Sequence, residues 1–352
     1  MPRIDFQKLL RVISFVLGVG LISGTLLAEE ASQGSLPFWQ KTKVSGSADL
    51  NYNFNFNQPN MTPSVAPAGN NAYRVFDSAA NTFNVGLVEL AIENSPTDWV
   101  TFRTDLDFGH DVSGFHAAGL GTTEFFDLQQ AYMALKVESL GNGLTVKAGK
   151  FVTMHGAEVI EAAGNYNISR GLLFNFAIPL THTGVVFSYP FADWITVDAG
   201  IVNGWNNVID NNSGKSGHFM LTIKPVDKFT FLLGGTVGPE AAGTNSTIRT
   251  LIDTSLIYAL NEKWSFSLNY DLGRDGGLGG TNGIADWQGL AYYVHWKPID
   301  RFGLTLRGEY FRDDLATKPA APAPATGMTA GAVTGAVAST KIYEGTLTSH
   351  FY

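Results

Sequence analysis

The chain has 352 residues, of which 45% are hydrophobic and 15% charged, and its formal net charge is −8. It contains no cysteine, which excludes a disulfide framework, cysteine-ligated metal and thiol chemistry. The acidic balance and the lack of basic-aromatic interleaving predict no nucleic-acid partner, because phosphate contacts need basic side chains.

The chain begins with the features of a secretory signal peptide. Three basic residues precede an apolar stretch at 12–27, and Ala28 ends that stretch before two glutamates. We therefore predict a signal peptide at residues 1–28 and one mature domain at 29–352. An uncleaved anchor helix is the alternative, which the shortness of the stretch disfavours. Removal of the signal leaves 20 basic against 30 acidic residues.

Five short turns recur along the rest of the chain with one pattern. Each has a proline or leucine, two or three residues that include an acid, and then Trp or Phe at the start of the next segment. The last four of these aromatic residues stand 35, 35 and 38 residues apart. Tight turns at one end, longer loops at the other and aromatic residues at a constant height are typical of a membrane β-barrel. The turns lie at 96–99, 190–194, 225–229, 260–264 and 298–302, and Gly141-Asn142-Gly143 adds a sixth.

Between the turns, apolar side chains alternate with polar ones, as they do on strands with one buried and one wet face. The segment after the fourth turn has one face made of Trp264, Phe266, Leu268, Tyr270 and Leu272. Charged residues fall only on the opposite face, and a charged Arg or Lys facing lipid at mid-membrane costs about 2–4 kcal/mol. We therefore predict a set of charged residues that line a wet lumen: Arg103, Asp105, Asp107, Asp198, Arg249, Asp253, Asp271, Arg307 and Glu309.

A soluble β-sandwich also alternates, so the number and spacing of the segments decide between the two folds. About fourteen strands are many for one sandwich and ordinary for a barrel, and short turns alternate with long loops. We predict an all-β, antiparallel, up-and-down transmembrane barrel that closes on itself, because backbone groups in lipid must all be paired. The strands are expected near 42–56, 82–93, 98–109, 126–138, 144–153, 177–190, 194–203, 217–225, 228–238, 247–260, 263–273, 286–297, 301–312 and 340–352.

The loop at 154–176 is the candidate constriction of the barrel. It contains Glu158 and Glu161, in a stretch at 156–163 that could form a helical turn, and then Arg170. Folded inward, the loop would set acids and a base facing one another across the pore, which gives a transverse field and a size limit. The alternative is an extracellular loop with ordinary solvated charges.

Several segments resemble the OmpL-like β-barrel porin family of bacterial outer membranes, over about residues 45–312. These segments are 74–77, 103–109, 164–170, 178–184, 203–206 and 238–240. The resemblance implies an outer-membrane barrel that acts as a diffusion channel, and it implies no particular solute. Members of the family continue with two further strands after the position of Tyr352. We therefore expect fourteen strands, or sixteen if this sequence is truncated, and the polar Ser349 near its end favours truncation.

The leading prediction is a passive outer-membrane porin: a water-filled channel for ions and small polar solutes, with a mixed-charge lumen and a slight cation preference. Its predicted partners are membrane lipid, lipopolysaccharide and the diffusing solutes, and assembly into homo-oligomers is left open. The seven histidines are scattered along the chain, so we predict no metal ligand, cofactor or catalytic residue. The alternative is a non-conducting barrel that serves as a surface adhesin or structural anchor, with a lumen plugged by the 154–176 loop or by large inward side chains such as Tyr293.

Overall fold

The computed structural model describes residues 38–57, 71, 73–120, 125–276, 285–314 and 340–352. They form one antiparallel sheet of fourteen strands that follow one another in chain order. The predicted signal peptide at 1–28 lies outside the described residues. The strands are β1 (Thr42–Asn53), β2 (Thr82–Thr97), β3 (Val100–Phe108), β4 (Phe126–Val137), β5 (Leu144–Val152), β6 (Thr181–Ala192), β7 (Ile195–Val202), β8 (Ser216–Val226), β9 (Phe229–Pro239), β10 (Ile248–Asn261), β11 (Trp264–Asp275), β12 (Ala285–Ile299), β13 (Phe302–Asp313) and β14 (Thr340–Phe351).

Helices in the described residues are short. They are α1 (Val112–Phe115), α2 (Leu172–Phe176) and two 3₁₀ turns at Phe38–Lys41 and Ala162–Gly164. Within the described part of the chain, no helix is both long enough and apolar enough to cross a membrane.

All five predicted turns join neighbouring strands, and each is two residues long. The last paired residues on either side stand three apart in sequence, as Thr97 and Val100 do at the first turn. Each turn is preceded by a β-bulge, which puts one extra residue on the leading strand. Pro96, Pro225 and Pro298 lie at these unpaired positions. Proline fits there because it has no N–H to give to a ladder.

The alternation of faces is confirmed by the exposure of the side chains. On β11, Leu268 is 40% exposed, whereas the neighbouring Asn269 is 2% exposed. The outward face of the sheet is an apolar band with large aromatic residues near the turns, such as Trp264, which stacks on Trp296 with ring centroids 5.6 Å apart. This band is the surface that hydrocarbon would cover.

A bulge in β2 changes the phase of that strand. Asp49 pairs with Leu87 and Leu50 pairs with Val85, so Gly86 has no partner residue on β1. Phe83 and Val85 before the bulge, and Val88 and Leu90 after it, all lie on the exposed face. The phase change turns Glu89 inward, where it reaches the candidate site described below.

The sheet curves until its first and last strands flank one loop. Loop 3, the segment at 153–180 between β5 and β6, contacts Asp49 of β1 through Arg170, at 3.7 Å. The same loop contacts Thr348 of β14 through the side-chain amide of Asn167, at 2.7 Å. The inward faces of the strands therefore enclose a lumen, with loop 3 inside it.

The buried apolar core lies inside this lumen, where the leading prediction of a water-filled channel placed none and the alternative of a plugged lumen did. Side chains from several loops pack there against residues of β10, β12 and β13. Its larger members are Phe76, Phe115, Ile160, Leu172, Leu173, Phe174, Trp205, Leu251, Trp287, Tyr293 and Phe311. One side of the lumen is thus filled by protein rather than by water.

Candidate functional site

Loop 3 enters the lumen as a closed structure. Its ends are joined by a hydrogen bond from the Thr153 N–H to the Leu180 carbonyl, at 3.0 Å. The helical turn expected at 156–163 is wrong: the turn lies at Ala162–Gly164. The side chain of Asn165 accepts from the Val159 N–H and donates to its carbonyl, at 2.9 and 2.8 Å. Such side-chain bonds to the backbone compete with helix formation.

A buried ion-pair cluster holds loop 3 against the wall of the barrel. At its centre is Arg307 of β13, whose side chain is 0% exposed. Its guanidinium lies 2.8 Å from Glu158 of loop 3, 3.0 Å from Glu309 of β13 and 2.6 Å from Glu344 of β14. It also donates to the Ser169 carbonyl, at 2.5 Å. We call these four charged residues the Arg307 cluster.

Two of the three glutamates, Glu158 and Glu309, also bind the backbone of loop 3. Glu309 accepts from the N–H groups of Leu172 and Leu173 at the start of α2, at 3.0 and 3.3 Å. A carboxylate there satisfies helix N–H groups that have no partner within the helix. Glu158 accepts from the Gly171 N–H at 2.6 Å. Burial raises the pKa of the Glu158 carboxyl, and the nearby Arg307 guanidinium opposes that rise.

Arg170 braces the loop instead of facing the acids across a pore, which corrects the expected arrangement. Its guanidinium donates to the carbonyls of Ile160 and Ile168 and stacks over the ring of Phe76, 4.6 Å from the ring centroid. These contacts engage its donors within loop 3 and bury the side chain. The alternative of solvated loop charges is also wrong for Glu158 and Arg170, both of which are buried.

A cavity of about 200 Å³ remains between loop 3 and the wall formed by β2 to β5. Its charged lining residues are Glu89, Arg103, Asp105, Glu158 and Glu161. The Arg103 guanidinium lies 2.6 Å from Asp105 and 3.9 Å from Glu89. Glu161 accepts from the side-chain amide of Gln129 at 2.6 Å. Acids from the loop and a base from the wall thus face the same space, and the acids are in excess.

The other predicted pore-lining residues occupy different surroundings on the inward face. Asp107, Asp253 and Asp271 are buried, and Arg307 and Glu309 are covered by loop 3. Arg249 pairs with Asp275 at 2.5 Å. Asp198 lines a second cavity, also of about 200 Å³. Two of the nine predicted pore-lining residues, Arg103 and Asp105, line the first cavity.

Several residues of the site were missed in the sequence analysis. Glu344 was detectable, because strict alternation with the outward Tyr343 and Leu347 turns it inward. Glu89 was hidden by the bulge in β2. A group of three buried histidines, described below, depends on strand register and on the path of loop 3, neither of which alternation reveals.

The family model described as "Putative beta-barrel porin-2, OmpL-like" matches residues 41–351. The chain belongs to this OmpL-like porin family. It is an up-and-down β-barrel of the bacterial outer membrane, and the predicted family, fold class and location are confirmed.

This OmpL-like chain is also similar to solved outer-membrane barrels, at low identity. A loop L8 deletion form of OmpT of Vibrio cholerae is 12% identical, with 78% of this chain and 83% of that chain covered and a TM-score of 0.46. The outer-membrane channel DcaP of Acinetobacter baumannii is 11% identical, with coverages of 93% and 100% and a TM-score of 0.40. OprB of Pseudomonas putida is 10% identical, with coverages of 88% and 92% and a TM-score of 0.39. No curated protein matches the chain.

Proposed function

We propose that this OmpL-like barrel is a passive channel for ions and small polar solutes, narrowed by loop 3 and working without a catalytic step. The proposal is carried by the asymmetric filling of the lumen. Loop 3 packs against β12 and β13 through the Arg307 cluster and the apolar core. The charged cavity lies on its other side, towards β2 to β5. Fixing a loop to one wall while the opposite wall stays polar narrows a water path and keeps it wet.

The proposed channel prefers cations. Four carboxylates and one guanidinium are the charged groups around the cavity. A narrow space with low-dielectric walls concentrates the field of such groups and raises the local concentration of the opposite charge. The paired Arg103 weakens the preference without removing it, because its single charge faces several acids.

Lipid and lipopolysaccharide are the proposed partners of the outward apolar band. The preference for a solute other than simple ions is set by the size of the gap beside loop 3.

Assembly into homo-oligomers is tested by chemical cross-linking of the detergent-purified protein.

A second candidate function is a non-conducting barrel that serves as an adhesin or structural anchor. It is favoured by the apolar core inside the lumen, where Trp287 donates its indole N–H to the Ala177 carbonyl of loop 3 at 3.0 Å. Tyr293 is buried in the same core. A lumen filled in this way on every side would carry no current.

Conductance in a planar bilayer separates the two functions. The protein is purified in detergent, and folding is checked by the shift in gel mobility on heating. Stable, stepwise currents that a heat-denatured sample lacks are expected for the channel. A folded barrel that inserts into the bilayer and carries no current would refute the channel and support the anchor.

A further inference from the structure

Three of the seven histidines meet inside the barrel. His155 is the third residue of loop 3, His182 lies on β6 and His218 lies on β8. All three are at most 2% exposed. Their ring centroids stand 4.8, 4.7 and 6.2 Å apart, and one ring nitrogen from each can be chosen so that all three lie within 4.8 Å of one another.

Two of these imidazoles lack polar partners. Among the described residues, neither ring nitrogen of His155 nor of His218 has a hydrogen-bond partner. A buried imidazole has a donor and an acceptor to satisfy, and leaving both unpaired is costly. An imidazole nitrogen without a hydrogen-bond partner can give its lone pair to a metal ion.

The third imidazole is held as a metal ligand normally is. His182 has Nδ1 3.3 Å from the Gly204 carbonyl, to which it can donate, so that Nε2 keeps its lone pair. Donation of one ring N–H to a backbone carbonyl is the usual support of a metal-binding histidine. Without an ion, the Thr153 hydroxyl donates to that Nε2 at 3.3 Å, a hydrogen bond that a bound ion would replace, and it accepts from the backbone N–H of His155 at 3.2 Å. Thr153 therefore ties the loop residue to the strand residue.

A glycine on a neighbouring strand makes room for one of the rings. Gly234 of β9 packs against His155, where an added Cβ would come within 2.8 Å of Nδ1. The cavity that Asp198 lines also includes Phe151 and Met154, and Met154 precedes His155 in the chain.

From this geometry we propose that His155, His182 and His218 form a binding site for a late first-row transition-metal ion such as Zn²⁺. Three neutral nitrogen ligands with a fourth position left to water suit Zn²⁺, Cu²⁺, Ni²⁺ or Co²⁺, and not Mg²⁺ or Ca²⁺, which take oxygen ligands. Nitrogens that share a tetrahedral Zn²⁺ at about 2.0–2.1 Å stand about 3.3 Å apart. In the metal-free structure the three nitrogens lie within 4.8 Å of one another, and rotation of the rings brings them to this spacing when the ion binds. The bound ion fastens the start of loop 3 to β6 and β8, opposite the Arg307 cluster.

The test measures metal retained by the whole barrel, purified through an affinity tag without histidine. The protein is stripped with a chelator, loaded with Zn²⁺ and dialysed, and metal is counted by mass spectrometry. One equivalent of Zn²⁺ is expected in the unsubstituted protein. His155→Asn and His218→Asn are expected to weaken binding by more than about 100-fold, because even changes in second-sphere groups cost 10–100-fold. Cu²⁺ should bind more tightly than Zn²⁺, and Mg²⁺ should not compete.

Matched controls are His110→Asn and His350→Asn, which change histidines outside the group and should keep the full equivalent. A direct readout needs no variant: Co²⁺ in the site is expected to give the intense visible bands of tetrahedral coordination, and X-ray absorption should show imidazole ligands. The proposal is overturned if the unsubstituted barrel retains no more Zn²⁺ than a variant lacking all three histidines. Retention that persists in His218→Asn, or an all-oxygen Co²⁺ environment, also overturns it.

Discussion

Arg307 is the residue on which the position of loop 3 depends most. Its guanidinium is fully buried and serves three carboxylates, one of them 149 residues away in sequence. Buried charges are tolerated only when they are paired and hydrogen-bonded, and removing one partner leaves the others uncompensated. The Arg307 cluster therefore holds loop 3 against the barrel wall and opposes its partial detachment.

Arg307→Gln should release loop 3 and destabilise the barrel by about 3–5 kcal/mol, the usual cost of breaking a buried ion pair. Guanidinium unfolding in lipid vesicles measures the free energy, and protease cleavage within 157–175 reports on the loop. Arg312→Gln is the matched control on the same strand, where the arginine pairs with Asp314 on a partly exposed surface. That change should cost no more than about 1 kcal/mol. An equal loss of unfolding free energy in the two variants would contradict this role of the Arg307 cluster.

Arg103 partly offsets the negative charge of the carboxylates around the cavity. Arg103→Gln should raise the ratio of cation to anion permeability by about fivefold or more, because unit charges about 4 Å apart interact by about 1 kcal/mol in water and more strongly beside low-dielectric walls. The reversal potential in a salt gradient measures the ratio. Lys136→Gln removes the same charge at the exposed turn end of β4 and should leave the ratio unchanged. A shift toward anions in Arg103→Gln would refute the assignment of this cavity to the ion path.

At the scale of single elements, the strands obey one rule and the loops another. A strand is specified by the identity of every second side chain and by the turn that ends it, so β11 can be assigned from its own residues. The position of loop 3 is specified by its contacts with β12, β13 and β14, which no local sequence pattern predicts.

The strand rule predicts opposite effects for neighbouring substitutions on β11. Leu268→Arg places a charge in the outward band and should destabilise the barrel by about 2–4 kcal/mol. Ser267→Arg places the same charge on the inward face and should be tolerated. Unfolding in vesicles, followed by tryptophan fluorescence, measures both. If Ser267→Arg were the more damaging change, the strand would have been assigned the wrong phase.

The loop rule predicts a larger current when loop 3 is shortened. Replacing 157–175 by a short Gly-Ser linker removes the α2 segment and Glu158 from the lumen. Single-channel conductance should rise several-fold, because the path then widens to the barrel wall. Replacing 241–245 in the exposed loop between β9 and β10 is the control and should not change it. An unaltered conductance without loop 3 would place the narrowest point elsewhere.

At the scale of the whole molecule, the acidic excess of the chain and the acids around the cavity both favour cations over anions. Charge at the mouths of a barrel is exposed to salt, whereas charge inside a narrow space is screened less. The two contributions can therefore be separated by ionic strength.

The cation preference of the intact channel should weaken as salt rises from 0.1 M to 1 M and should not vanish. The Debye length falls from about 10 Å to about 3 Å over that range, so the contribution of the mouths is lost first. Reversal potentials at constant gradient ratio measure this. A preference that vanishes completely at 1 M would assign selectivity to the outer loops rather than to the cavity.

The amino-acid sequence by itself determined the fold class, the strand positions within a few residues, the places of the tight turns and the inward face that carries Arg103, Asp105 and Asp253. These are local properties: alternation has a period of two, and a turn is decided by a few adjacent residues. Only the tertiary structure decided what fills the lumen. The pairing of Arg307 with Glu158 and the meeting of His155 with His218 depend on strand register, on a bulge that shifts a phase and on the route of a long loop. Such contacts join residues far apart in the chain, and a pattern read along a single strand contains no information about them.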